Sequence, residues 1–372
     1  MSTYDLYTTP VDQGTWDVPS TGAARFSWEY DDGRQRLLDL YQRGKDKQWD
    51  ATKRIDWSLP VDPCNVMATS EELCPIYGSR QWDKLSQAER DELGQHLGSW
   101  LFSQFLHGEQ GALTVAARIV ESVPDMDSKF YAATQAMDEA RHVELYHRFI
   151  RDKIGLYYPI NADLARLLAD ALGDSRWDLP YLGMQVLIEG LALAAFGVHR
   201  DITGNPLVKQ VLAYVMQDEA RHVAFGRLAL RDYYAELTAA ERADREEFVV
   251  EGCYLMRNRF VAREVYERLD FDVTECVEFA DRSPTQLAFR QLLFSRIVPC
   301  VRDIGLWGSK VQQAYVDLGV MDAANSNLDQ LMRDDENIAD RLEREHAAEL
   351  AARKEEVDAA IASGADSHPA HS

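Results

Sequence analysis

The chain has 372 residues, 46% of them hydrophobic, and a formal net charge of −22 from 62 acidic and 40 basic residues. That balance argues against nucleic acid, an anionic membrane surface or an acidic carrier protein as the main partner. Five scattered cysteines (Cys64, Cys74, Cys253, Cys276, Cys300) lack metal-ligand spacing, the opening residues lack a basic start, and the longest apolar stretch, 186–198, is short and carries Glu189; a cytoplasmic protein with reduced thiols and no membrane contact is expected.

Residues 1–84 read as a mixed N-terminal segment packed on the helical region after it. "TWDVPSTGAARFSWEY" and "IDWSLPVDPCNVM" are irregular and Pro-bearing, with the helical pattern "DDGRQRLLDLYQRGKDKQWDATK" between them. Residues 85–236 alternate long helical patterns with short breakers. "SWLFSQFLHGEQGALTVAARIV" is apolar almost all round, "VPDMD" breaks it, and "SKFYAATQAMDEARHVELYHRFIRDKI" comes next. "LPYLGMQVLIEGLALAAFGVHRDI" repeats the apolar pattern, "TGNP" breaks it, and "LVKQVLAYVMQDEARHVAFGRLALRDYYAEL" completes the region. Residues 237–323 predict additional helices of the same domain, over 239–269 and 283–319. Residues 324–372 are charged and Ala-rich, predicting an exposed helical arm that ends in a disordered "SGADSHPAHS". With no hairpin signal, the class is all-α.

The pentapeptide "DEARH" occurs at 138–142 and again at 218–222. Each copy holds Glu-x-x-His: Glu139 with His142, and Glu219 with His222. Three residues apart on a helix, the two side chains sit about 60° apart on one face, so both can reach one metal ion. Glu144 and His147 have the same spacing but lie on a different face, and are read as a decoy. Glu109 lies thirty residues before Glu139, and Glu189 thirty before Glu219. Both sit in apolar helices, where a lone ionised carboxylate is costly. The midpoints of the two intervals are Pro124 and Gly204, inside the two breakers. In an antiparallel helix pair, residues equidistant from the turn lie side by side, so each buried Glu falls opposite its own Glu-x-x-His. The whole set repeats with an offset of 80 residues.

Two such pairs make a four-helix bundle with four Glu and two His converging inside, the ligand pattern of ferritin-like di-metal carboxylate proteins. Two divalent cations balance the four carboxylates, and carboxylate with imidazole suits iron or manganese. Asp138 and Asp218 point away from the neighbouring Glu and are expected to accept the free ring N–H of a ligand His, from the opposite pair, with Arg141 and Arg221 tying the acids down. The remaining histidines, at 96, 107, 147, 199, 346, 368 and 371, fall outside the ligand register.

Across roughly residues 90–235, "GEQGAL", "AMDEARH", "VLIEGLALAAF" and "MQDEARHVAFG" resemble the ferritin-like diiron oxidases and oxygenases. These include multicomponent monooxygenase hydroxylases, ribonucleotide reductase small subunits, related ligand-binding oxidases and arylamine N-oxygenases. The resemblance implies a four-helix bundle with additional N- and C-terminal helices. Its departures are specific. The Thr of the hydroxylases is here Leu193; the extra His of arylamine oxygenases is Val215; the crosslinked Val and Tyr of the ligand-binding oxidases are Ala112 and Met184. Tyr146 matches the radical Tyr of the reductase subunits, but "DSHPAHS" is unlike their docking tail.

The resemblance implies a dioxygen-activating diiron enzyme of the monooxygenase type that hydroxylates, N-oxygenates or desaturates a small organic substrate. Two iron ions, or manganese with iron, are held by Glu109, Glu139, His142, Glu189, Glu219 and His222, and Ala112, Leu193 and Phe196 line the substrate pocket. Dioxygen and an external electron donor, a ferredoxin or a reductase, are the implied partners, and a homodimer is compatible. Two other readings compete: a radical-generating subunit centred on Tyr146, and a ferroxidase or iron-handling protein. The many residues outside the bundle speak against storage, because extra helices shape a pocket or an interface.

Overall fold

The computed structural model describes residues 6–10, 13, 16–19, 22–27, 30 and 33–365. Helices α1 (Gln35–Asp46) and α2 (Ala51–Arg54) precede the bundle. Then α3 (Gln87–Ser122) pairs with α4 (Met126–Phe149). Ser86 and Glu89 cap the start of α3 reciprocally, and Asp125 in the first breaker accepts a hydrogen bond from the Ser128 N–H to start α4. After α5 (Ala162–Gly173) and α6 (Asp178–Tyr181), a π-helical stretch, Leu182–Ile188, runs directly into α7 (Glu189–Ile202). The second breaker supplies Asn205, whose side chain accepts from the N–H groups of Leu207 and Val208, and Pro206 at the first position of α8 (Pro206–Ala235). α8 packs back along α7. Among the described residues the one β contact is an isolated parallel bridge between Tyr7 and Tyr157.

Sequence periodicity missed the widening at 182–188. There the chain must bring Gln185 against α8, and a Cβ added to Gly226 would stand 2.5 Å from the Gln185 Cβ. Only glycine permits that approach, directly before Glu189. The run Asp178–Ile202 is long and apolar enough to cross a membrane, but 83% of its most apolar window is buried inside the protein, as in a core helix.

The expected helix over 239–269 is instead α9 (Ala239–Asn258), a turn, and α10 (Arg263–Arg268). The Arg259 carbonyl accepts from Asn161 Nδ2 at 2.8 Å rather than from a residue one turn on, which ends the ladder. After α11 (Val273–Arg282), the expected helix over 283–319 divides into α12 (Pro284–Leu293), α13 (Ile297–Asp303) and α14 (Ser309–Asp317). Pro299 offers no N–H to the carbonyl one turn before it. Gly305, at φ +86°, ends α13 in the left-handed region.

The C-terminal arm is not wholly exposed. α15 (Leu328–Glu336) and the start of α16 (Ile338–Ala365) pack on α8, burying Leu328, Met332, Ile338 and Ala339. α16 continues through 363–365, the start of the expected tail, and residues 366–372 lie outside the described residues. Leu37, Leu40, Trp49 and Ile55 join the same core as Phe102, Leu193, Val215, Ile297 and Leu328, so the flanking segments and the bundle share one interior.

Candidate metal centre

All six proposed ligands are at most 5% exposed. Glu109 comes from the middle of α3, Glu139 and His142 from α4, Glu189 from the first position of α7, and Glu219 and His222 from α8. The bundle gathers them into two groups. Glu109, Glu139, His142 and Glu219 form one; Glu139, Glu189, Glu219 and His222 form the other. Within each group the ligating atoms lie within 4.8 Å of one another, and Glu139 and Glu219 belong to both.

Both histidines turn Nδ1 inward. His142 Nδ1 lies 3.2 Å from a Glu109 oxygen, 3.3 Å from Glu139 and 3.2 Å from Glu219. His222 Nδ1 lies 3.0 Å from Glu139 and 3.6 Å from Glu219. Their outward Nε2 atoms meet the aspartates of the opposite pair: His142 with Asp218 at 3.1 Å, His222 with Asp138 at 3.3 Å. Arg141 binds both aspartates, at 2.5 Å to Asp138 and 2.9 Å to Asp218, and Arg221 pairs with Asp218. This is the crossed arrangement expected from the pentapeptide.

Four supporting residues lie outside the sequence expectations. Gln48 Nε2 donates to Asp138 at 2.7 Å and its Oε1 accepts from Arg141 at 2.7 Å. Trp49 Nε1 donates to Asp218 at 2.7 Å. Both come just after α1, which lies across α4 and α8. Gln135 Nε2 donates to Glu139 at 3.1 Å and Glu189 at 2.8 Å, and Gln185 Nε2 donates to the Gln135 Oε1 at 3.2 Å. Gln135 lies one helical turn before Glu139, as Val215 does before Glu219, so the internal repeat itself places Gln135; Gln48 and Trp49 arrive only through tertiary packing.

The residues fit a pair of cations. Glu139 Oε2, Glu189 Oε2, both oxygens of Glu219 and His222 Nδ1 are buried without a hydrogen-bond partner. Each Nε2 faces an aspartate, which holds the ring proton there when a metal takes the Nδ1 lone pair; against the effect of burial, the surrounding carboxylates raise both rings well above the usual histidine range, as a site short of positive charge does. Burial first, then the neighbouring Glu219 carboxylate, pushes the pKa of Glu109 and of Glu189 well above the usual carboxylate range.

Glu109, Glu189 and Glu219 also line a small cavity of about 20 Å³ with Phe105, Ala112, Met184, Ile188, Ala192, Phe196 and Arg259 among its other walls. Of the three residues expected to line a pocket, Ala112 and Phe196 do. Leu193 is buried but turned away from this cavity, and Ala192 takes its place, because one residue of shift rotates a helical side chain by about 100°. Ala112 and Met184 share the cavity, but neither is a phenol that could crosslink. A separate groove of about 730 Å³ is lined by Met67, Leu101, His199, Phe260 and Phe289 among others. Tyr146 is fully buried and burial raises its hydroxyl well above the usual range; that hydroxyl has no hydrogen-bond partner. Glu144 and His147 are exposed, with His147 Nδ1 3.0 Å from the Tyr157 hydroxyl.

No curated protein matches the chain in sequence. Among solved structures, an R2-like ligand-binding oxidase variant with a reconstituted Mn/Fe cofactor is 18% identical over 75% of this chain and 100% of its own, with a TM-score of 0.46. An R2-like ligand-binding oxidase after photoconversion is 16% identical over 85% of this chain and 98% of its own, at a TM-score of 0.39. The R2-like ligand-binding oxidase of Sulfolobus acidocaldarius is 18% identical over 72% and 91%, at a TM-score of 0.40. The family model described as p-aminobenzoate N-oxygenase AurF matches residues 30–305, a span that includes α1, the whole bundle and Arg259, and the chain belongs to that family.

Proposed function

We propose that this chain is a dioxygen-dependent, non-haem diiron oxygenase of the monooxygenase type that oxidises a small organic molecule. The observation that carries the reading is the sharing of Glu139 and Glu219 between two buried ligand groups, each completed by its own Glu and His. Glu109 and His142 complete one group and Glu189 and His222 the other, and Val215 leaves the centre with six protein ligands. When bound, two iron ions, or manganese with iron, supply dioxygen activation. Asp138 and Asp218 hold the proton on each His Nε2 so that Nδ1 faces the metals, and Arg141, Arg221, Gln48 and Trp49 hold the aspartates. Phe105, Ala112, Met184, Ile188 and Phe196 exclude water from the side that Glu109, Glu189 and Glu219 face.

The family's description as an N-oxygenase of p-aminobenzoate makes oxidation of an amine nitrogen the first reaction to test, ahead of hydroxylation and desaturation. Reducing equivalents come from an external ferredoxin or reductase, and the setting is cytoplasmic. The test is anaerobic loading with ferrous iron, elemental analysis, and then exposure to dioxygen with 4-aminobenzoate and a chemical reductant. Two iron ions per chain and a dioxygen-dependent hydroxylamine or nitro product are expected, with iron lost in Glu139→Ala and His222→Ala. One metal per chain at saturation, or iron content indifferent to both substitutions, sinks the assignment.

A further inference from the structure

Arg259 comes immediately after the last residue of α9 and walls the same small cavity as Glu109, Glu189 and Glu219. Its backbone is fixed: the N–H donates to the Leu255 carbonyl at 3.1 Å and the carbonyl accepts from Asn161. Its head group is not. The residue is 4% exposed, yet Nε and Nη1 are buried without a hydrogen-bond partner. Asp163 acts on it through space, and the ring of Phe260 lies 5.1 Å away. Burial lowers the guanidinium to about 10, so it stays charged at neutral pH. Arg141 and Arg221 also leave Nε without a partner, but they and Arg245 form ion pairs with buried acids. Arg245 meets both oxygens of Asp178, at 2.9 and 3.2 Å, and Arg141 joins Asp138 and Asp218. A buried cation with spare donors is costly unless something completes it.

We propose that Arg259 anchors an anionic group, a carboxylate, on the molecule that the metal centre oxidises, and so determines substrate choice. The inference rests on the oxygenase reading above. The planar guanidinium matches a carboxylate in shape and charge, and no acid accepts a hydrogen bond from its Nε or Nη1. Glu109, Glu189 and Glu219, whose charge the metal ions balance, wall the same cavity. Arg259 is therefore the wall that offers unused donors to an anionic end, and the other end of the substrate faces the metal ligands.

At about 20 Å³ the cavity holds roughly one water, so a substrate must displace part of its lining. The lining that can give is aromatic. Phe196 meets Phe105, Phe105 meets His199, His199 meets Phe289, and Phe289 meets Phe260, with ring centroids 4.8, 6.0, 5.4 and 5.6 Å apart. Phe196 and Phe105 wall the small cavity, and His199, Phe289 and Phe260 line the 730 Å³ groove. Entry from the groove brings an anion past Phe260 to Arg259.

The test is calorimetric titration of the iron-loaded protein, without dioxygen, using 4-aminobenzoate and its neutral amide, 4-aminobenzamide. Wild type is expected to bind the carboxylate more tightly by about tenfold or more. Arg259→Met is expected to lose that preference and Arg259→Lys to keep part of it. Iron content is retained in both, and the melting temperature of Arg259→Met is unchanged or raised, because an uncompensated buried charge is gone. Equal affinity of wild type for the two ligands, or an intact preference in Arg259→Met, overturns the proposal. So does loss of folding in both variants, the outcome of a purely structural role. Binding is read without turnover: a protein that prefers the carboxylate but oxidises nothing refutes the oxygenase reading alone.

Discussion

His142, on the first helix pair, turns its Nε2 to Asp218 on the second, at 3.1 Å, and His222 returns the relation to Asp138 at 3.3 Å. Each Glu-x-x-His is thus oriented by the acid of the other copy of the pentapeptide. The repeat is not two independent sites but one interlocked centre. Asp218→Asn keeps the shape and removes the charge that fixes the His142 tautomer. Iron affinity is expected to fall about 10- to 100-fold, as for other residues that orient a metal-bound histidine. Competition titration with a chromophoric chelator reads the change; affinity equal to wild type would show that the crossed pairs do not tune the ligands.

The decoy gives the converse expectation. Glu144 and His147 repeat the ligand spacing but face solvent, because they are displaced by five residues from Glu139 and His142 on α4. The double variant Glu144→Ala, His147→Ala should bind two iron ions with wild-type affinity. Its visible losses are the contact of His147 Nδ1 with the Tyr157 hydroxyl and the packing of the two rings, with centroids 5.9 Å apart. Iron loss comparable to that of Glu139→Ala would mean that α4 presents a different face to the centre.

The contrast between these two cases shows what a sequence can disclose. The bundle and its six inward residues are periodic features: a 3.6-residue helix, a thirty-residue return across a turn and an eighty-residue repeat. Gln135 was equally legible in principle, one turn before Glu139 on the inner face, but an uncharged amide draws no attention in a search for charge. Gln48, Trp49 and Arg259 were not legible, since they reach the centre from α1 and the end of α9 through packing that no local pattern encodes. The π-helical stretch before Glu189 was hidden for a related reason: every residue from 182 to 188 is buried, so no polar face betrays the change in winding. Pocket residues failed by a single step, Leu193 for Ala192, because apolar helices buried on all sides carry no phase.

The aromatic partition makes a prediction of its own. Phe105 walls the metal-side cavity and its ring centroid lies 6.0 Å from that of His199, which lines the groove. Phe105→Leu thins this wall while keeping an apolar residue; the truncation costs stability by about 1–2 kcal/mol. Iron content should persist, while water enters more readily, and the amount of amine oxidised per dioxygen consumed should fall several-fold. Paired oxygen-electrode and product measurements test this. Unchanged coupling together with an unchanged range of accepted substrates would remove Phe105 from the route.

Tyr146 separates the oxygenase from a radical-generating subunit. It lies one turn after His142, its ring packs near Phe102, Phe105 and Phe196, and its hydroxyl is buried with no partner. Burial, then the charges of Glu109 and Glu219, hold that hydroxyl protonated far above neutral pH. A tyrosine that delivers an electron must also release its proton, and no acceptor bonds to this hydroxyl among the described residues. The position matches the radical tyrosine of the reductase subunits, but the surroundings give the proton nowhere to go. In an oxygenase the residue is core packing with an unsatisfied polar atom, and such an atom costs about 1–3 kcal/mol. Tyr146→Phe is then expected to retain two iron ions and most of the turnover, and to raise the melting temperature slightly, since the ring stays and the stranded hydroxyl goes. Electron paramagnetic resonance after mixing the ferrous protein with dioxygen decides between the roles. A long-lived tyrosyl signal near one per chain in wild type, absent in Tyr146→Phe together with all activity, would put the radical-generating role in place of the oxygenase.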